Sequence, residues 1–179
     1  MSSSGSLVHF QPTRKPEPAG NATNCLSCPA EPNCHFSAKK IYVEHGLLRG
    51  NTGWPLKIVV PEIEDYLNLG LEHTQQKVLE RLAEDYTPET DRQAIDSRGW
   101  YGRCVYESRN DVCDDQVVSI TWEDDFLPGS GTQGDGRKGR GAKTATFHMV
   151  AFTADSSSRR TRVYGSRGEL FADSRSITV

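Results

Sequence analysis

The sequence predicts an α+β fold, a largely antiparallel open sheet with helices packed on one face. Three observations carry that expectation. From Gln116 the chain alternates, with Val118, Ile120 and Trp122 on one face and Val117, Ser119 and Thr121 on the other. Residues 160–165 and 169–171 read as short strands joined by the turn Gly165-Ser-Arg-Gly168. Residues 74–86 place Val78, Leu79, Leu82 and Tyr86 on one helical stripe.

Taken in order, residues 6–10 read as a short strand and 11–24 as a loop rich in proline, glycine and charge. Ser37 is placed to cap a helix reaching Leu48, with Ile41, Tyr42, His45 and Leu48 near one face. Gly46 weakens it and Gly50-Asn51 can stop it. Residues 54–60 are apolar and read as extended, closed by Pro61. Thr74 is the expected cap of the second helix, and Pro88 lies past its end. Residues 87–99 read as a polar connection, 100–107 as a strand and 108–115 as a polar loop before the next strand. A glycine-rich loop at 128–141 reads as a flexible hairpin tip. Residues 144–153 are apolar on both faces, which asks for a cover on both sides, part of it from another subunit or domain. The chain shows no internal repeat.

Its 179 residues suit one domain over 1–179, with a cysteine-rich loop at 24–36. Hydrophobic residues make up 35% of the chain and the mean hydropathy is -0.61, so long loops or a missing partner domain are expected. A net charge of -3 offers no general attraction to nucleic acid or to an anionic membrane. No apolar run can span a bilayer, and residues 1–6 lack the pattern of a signal peptide, so a cytoplasmic protein with reduced thiols is expected. Arg137, Lys138 and Arg140 have no aromatic interleaved and read as a solvated loop rather than an RNA site.

The sharpest chemical signal is Cys25-Leu-Ser-Cys28 with Cys34. Two thiolates three apart can grip one zinc and a third nearby makes three ligands, with His35 or water as the fourth. The same cysteines read equally as free thiols on a loop, or as a redox pair. Cys104 and Cys113 read as bland, Cys104 as a small core residue in a strand. Asn110, Asp111, Asp114 and Asp115 crowd the loop beside a sheet edge, where such side chains shape a turn or touch a substrate. His148 lies on the more polar face of its strand, as a structural or a substrate-facing histidine. Arg160 and Arg162 share a face and suit ion pairs.

The strings GRCVYESRNDVCDDQVVSITWED, TATFHMVAFT and RRTRVYGSRGEL resemble the C-terminal domain of the Gfo/Idh/MocA oxidoreductases. CLSCPAEPNCHFSAKKIY resembles an insertion in one subgroup of that family. The resemblance implies an NAD- or NADP-dependent enzyme acting on a sugar or polyol. The sheet face away from the helices would mediate homo-oligomerisation, and the helix-side edge of the domain would close the substrate pocket. Asn110, Asp111, Asp114, Asp115 and His148 would be its wall residues, although Asp115 stands where relatives often have histidine. The family's Rossmann domain, with a glycine fingerprint after its first strand, has no counterpart here. Its Glu-Lys-Pro and Asp-x-x-x-His motifs are absent. The expectation is an internal piece of such an enzyme, inactive alone. The alternative is a non-catalytic binding or interface module, zinc-stabilised by its cysteines.

Overall fold

The computed structural model describes residues 1–123, 141–153 and 158–179. Its class is α+β, with two open three-stranded antiparallel sheets. Chain contacts gather in two compact units. One is Met1–Val8 with Val112–Val179, and the other is His9–Asp111.

The first unit holds the strands. β1 (Ser2–Ser6), β2 (Asp115–Trp122) and β3 (Lys143–Val150) form one sheet in the order β1-β2-β3. Its register pairs Ser3 with Val118, Val118 with Phe147 and Ile120 with Ala145. Residues directly opposite share a face. Val118, Ile120, Trp122, Ala145, Phe147 and Met149 therefore share the apolar face. Asp115, Ser119, Thr121, Thr144, Thr146 and His148 share the polar one. The alternation read from the sequence is the alternation observed. The first strand is displaced: it occupies Ser2–Ser6, before the apolar stretch 6–10 expected to form it. Backbone pairing to β2, with serine side chains that bury nothing, decides that strand.

β4 (Arg160–Gly165), β5 (Gly168–Asp173) and β6 (Ile177–Thr178) form the second sheet. The hairpin turn falls between Gly165 and Gly168, which pair with each other across it. Val163, Leu170, Ala172 and Ile177 share one face. On the other, Arg162 pairs with Glu169 at 3.0 Å and lies over Tyr164. The glycine-rich loop expected at 128–141 lies, except for Gly141, outside the described residues.

The second unit holds the helices: α1 (Leu56–Val59), α2 (Ile63–Leu67), α3 (Leu71–Ala83) and α4 (Arg92–Asp96), with a π-helical segment at Lys39–Glu44. Its core is Val43, Leu47, Leu56, Val59, Val60, Ile63, Val78 and Leu82, with Cys25 and Ala38 at its margin. Ser37 caps the π-helical segment through the Lys40 amide, 3.1 Å away. The expected single helix to Leu48 breaks at Gly46 into the 3-10 turn Leu47–Arg49, and Gly50 at φ 74° ends it. That break rotates the buried face to Val43 and Leu47, leaving His45 and Leu48 exposed.

Five further expectations are corrected. Residues 54–60 are not extended: Leu56–Val59 form α1, and Leu56, Val59 and the flanking Val60 are buried. Thr74 is not a cap but an interior residue of α3, its hydroxyl donating to the Gly70 carbonyl at 2.9 Å. Tyr86 falls outside that helix, which ends at Ala83. The connection 87–99 contains α4, capped by Asp91 through the amides of Gln93 and Ala94. Residues 100–107 form no strand but turns and one isolated bridge, Asn24 to Arg103.

Candidate functional site

Two clusters hold the residues that chemistry could use. The first is on the polar face of the β1-β2-β3 sheet. His148 sits opposite Val117, diagonal to Asp115, and its Nε2 lies 3.1 Å from Asp115 Oδ1. Both side chains are open to solvent, so the pair has hydrogen-bonding capacity facing outward. The sequence singled out both residues, and the strand register brings them together.

Asp114 is different. It is 2% exposed. Its carboxylate accepts from the Val8 amide at 2.8 Å, its own amide donates to Ser6, and its carbonyl accepts from Ala151. It ties the ends of β1, β2 and β3 together and presents nothing to a substrate. The expected wall residue Asp114 is thus a buried carboxylate already engaged by the Val8 amide. Asn110 and Asp111 belong to the helical unit. Asn110 is half-buried, its amide bonded to the Ser108 carbonyl in a turn, and Asp111 is exposed.

The second cluster lies wholly within the helical unit. Cys25, Cys28, Cys34 and Cys104 line one small cavity, together with Pro16, Ala19, Ala30 and Tyr106 among others. The local fold explains how four thiols arrive there. Cys25–Ser27 and Glu31–Asn33 are single 3-10 turns, and Cys28 and Cys34 are the residues that close them. Asn24 caps the first, accepting from the Leu26 amide at 2.8 Å, while its side-chain amide donates to the Leu82 carbonyl at 2.8 Å. Cys25 then donates its amide to Gly102 at 2.8 Å, and Cys104 donates to Thr23 at 2.7 Å. These bonds pin the two chain segments antiparallel. Gly102 is required at this crossing, because a Cβ there would lie 1.7 Å from the Leu82 carbonyl oxygen.

Burial pushes the Cys25 thiol from 9.0 up to about 11, against the Ala38 amide that donates to its sulfur at 3.5 Å. The neighbouring thiols Cys104, Cys34 and Cys28 add to the rise. Burial also raises Cys104, opposed by the amides of Tyr106 and Glu107 and by the nearby Lys15 ammonium. Lys15 is itself held by Glu107 at 2.7 Å. Tyr106 is raised by burial and by Cys34 and Cys104, and joins an aromatic group with His9, Phe10 and Phe36.

All five cysteines are free thiols. Among the described residues, no three His, Cys, Asp or Glu side chains stand close enough, as placed, to hold a single metal ion. His35 is exposed and is not among the residues that line the cavity. The residue sequence reasoning passed over is Cys104. Three cysteines in one loop asked for a fourth, but it lies 70 residues from Cys34 and is delivered by a backbone pairing that no local pattern announces.

One further string needs placing. Gly129-Ser-Gly-Thr-Gln-Gly134 spells the glycine pattern of a dinucleotide fingerprint, but lies outside the described residues. The strands flanking it, β2 and β3, are antiparallel neighbours. A dinucleotide site of that kind needs a strand, a helix and a parallel strand, so the flanks do not fit the cofactor.

Among the described residues no helix is long and apolar enough to cross a membrane. Comparison of the chain with known protein families, with curated proteins and with solved structures gives no match.

Proposed function

We propose that this chain is the substrate-side and self-association module of an NAD(P)-dependent oxidoreductase of the Gfo/Idh/MocA kind, acting on a sugar or polyol in the cytoplasm, and without turnover of its own. The resemblance of its sequence strings supports the reading. The observation that carries it is the two-faced sheet. One face presents Phe147 and Trp122, 61% and 49% exposed, for a second copy to cover. The opposite face presents Asp115 and His148 with the hydroxyls of Ser119, Thr121, Thr144 and Thr146. Such groups can donate to and accept from the hydroxyls of a polyol. The chain's own part is read as binding and orienting, because its sequence lacks the Rossmann half and the Glu-Lys-Pro motif of that family.

The test is titration of the purified chain with sugars and polyols, followed by the His148 imidazole resonances. Saturable shifts at His148, lost in Asp115→Asn, are expected. No response to any polyol contradicts the substrate-side reading. Saturable NAD(P)H binding, or turnover above a blank, contradicts the assignment of a module without a cofactor site. A second reading, an interface module unrelated to redox chemistry, draws on the same apolar face. Association without any polyol response selects it.

A further inference from the structure

We propose that Cys25 and Cys28 form a redox-active dithiol that closes to an intramolecular disulfide by exchange with a low-molecular-weight disulfide. Both stand as free thiols, so the structure holds the reduced form. Backbone geometry selects the pair. Cys25–Ser27 is a single 3-10 turn, and Cys28 closes it by donating its amide to the Cys25 carbonyl at 3.3 Å. A turn of that kind holds its first and fourth Cα atoms within about 7 Å. Disulfides bridge Cα separations of about 4.4–6.8 Å. Both side chains also line one cavity of about 20 Å³, room for about one water molecule.

The other two thiols at the cavity fit the pairing less well. The Asn24–Arg103 bridge sets Cys25 opposite Gly102 and Cys104 opposite Thr23. Cys25 and Cys104 are therefore diagonal neighbours, about 7–8 Å apart, which is beyond bridging without backbone movement. Cys34 closes a separate turn, Glu31–Asn33, outside the four-residue geometry that joins Cys25 to Cys28. Exposure orders the steps. Cys28 is half-buried and meets a dissolved disulfide first, whereas Cys25 is 9% exposed and burial keeps it a neutral thiol. The Cys28 sulfur attacks one sulfur of R–S–S–R, a Cys28–S–S–R bond forms, and RS⁻ leaves and takes up the Cys28 proton. Cys25 Sγ, now beside its target, attacks Cys28 Sγ, and the second RS⁻ leaves with the Cys25 proton. Two electrons pass from the pair to the incoming disulfide, and two RSH molecules are released.

The experiment equilibrates the full, reduced chain with mixtures of oxidised and reduced glutathione under anaerobic conditions. Remaining thiols are capped with one alkylating label, disulfides are then reduced, and the thiols released are capped with a second. Fragment mass spectra locate each label. The second label should appear together on Cys25 and Cys28, rising as the oxidised share of glutathione rises, while Cys34 and Cys104 carry the first. In Cys25→Ser the reaction should stop at the first step and leave glutathione bound to Cys28. In Cys28→Ser the oxidation of Cys25 should slow about 10-fold or more, because the accessible attacking sulfur is gone. Cys25→Ser changes a buried group and can unfold the chain, so the label map of the wild type carries the test without it. The proposal is overturned if no Cys25–Cys28 disulfide forms in the folded chain at any glutathione ratio. It is equally overturned by a disulfide from Cys28 to Cys34 or from Cys25 to Cys104 in its place, or by oxidation of Cys25 in folded Cys28→Ser as fast as in the wild type.

Discussion

The helical unit and the strand unit differ most in what they bury. Every buried apolar side chain among the described residues lies between Ala19 and Tyr106, in the helical unit. In the strand unit the buried residue is Asp114, a carboxylate that organises strand ends. Strand β4 is exposed along its whole length, and β3 along all but its last two residues. The helical unit thus carries its own hydrophobic driving force. The strand unit is held by backbone pairing and leaves apolar faces in water, an arrangement that is marginal for a small open sheet and that favours a covering partner.

The widest gap should appear in core truncations. Leu82 and Ile63 are 0% exposed, and Leu82→Ala or Ile63→Ala should cost about 2–5 kcal/mol in denaturant unfolding. The comparable change on the sheet, Phe147→Ser, should leave the unfolding of the helical unit unmoved. A loss there as large as that for Leu82→Ala would erase the contrast. Next is Gly102→Ala, whose new methyl meets a backbone carbonyl rather than a yielding side chain. A loss of about 3 kcal/mol is expected from that overlap. The thiol cavity should loosen with it, read as faster alkylation of Cys25.

A pH effect follows from Cys25. Its folded value is raised, from 9.0 to about 11, so the folded state holds the proton longer than the unfolded chain. The stability tied to the buried thiol is therefore fully present below pH 9 and is lost as pH rises through 11. In metal-free protein the denaturant midpoint should fall across that interval, and Cys25→Ala should flatten the fall. The smallest effect is Asp91→Ala, which removes the cap of the short helix α4. It should cost about 1 kcal/mol or less, visible as faster amide exchange at Gln93 and Ala94 with little change in the global transition.

The strand unit was the legible part. β2, β3, β4 and β5 follow from period-two alternation and from a glycine turn, both local signals, and the Asp115–His148 pair follows from their register. The helical unit resisted. Helix α1 is a single turn, too short for its spacing to outweigh an apolar run of β-branched residues. Thr74 looked like a cap because threonine at a helix start and threonine bonding back to a carbonyl within a helix share one composition. The bridge that brings Cys104 to Cys25 depends on Asn24, Gly102 and Leu82 meeting across the unit, and no window of sequence contains all three. The three loop cysteines were therefore visible in the sequence, and their convergence with Cys104 was not.

The claim that the strand unit is built to be covered can be measured directly by sedimentation of the whole chain across a range of concentrations. Reversible self-association is expected. It should weaken in Phe147→Ser and in Trp122→Ser, and persist in His148→Ala on the opposite face. A monodisperse monomer at every concentration would contradict the account, as would association that ignores Phe147 and Trp122 but is lost with His148.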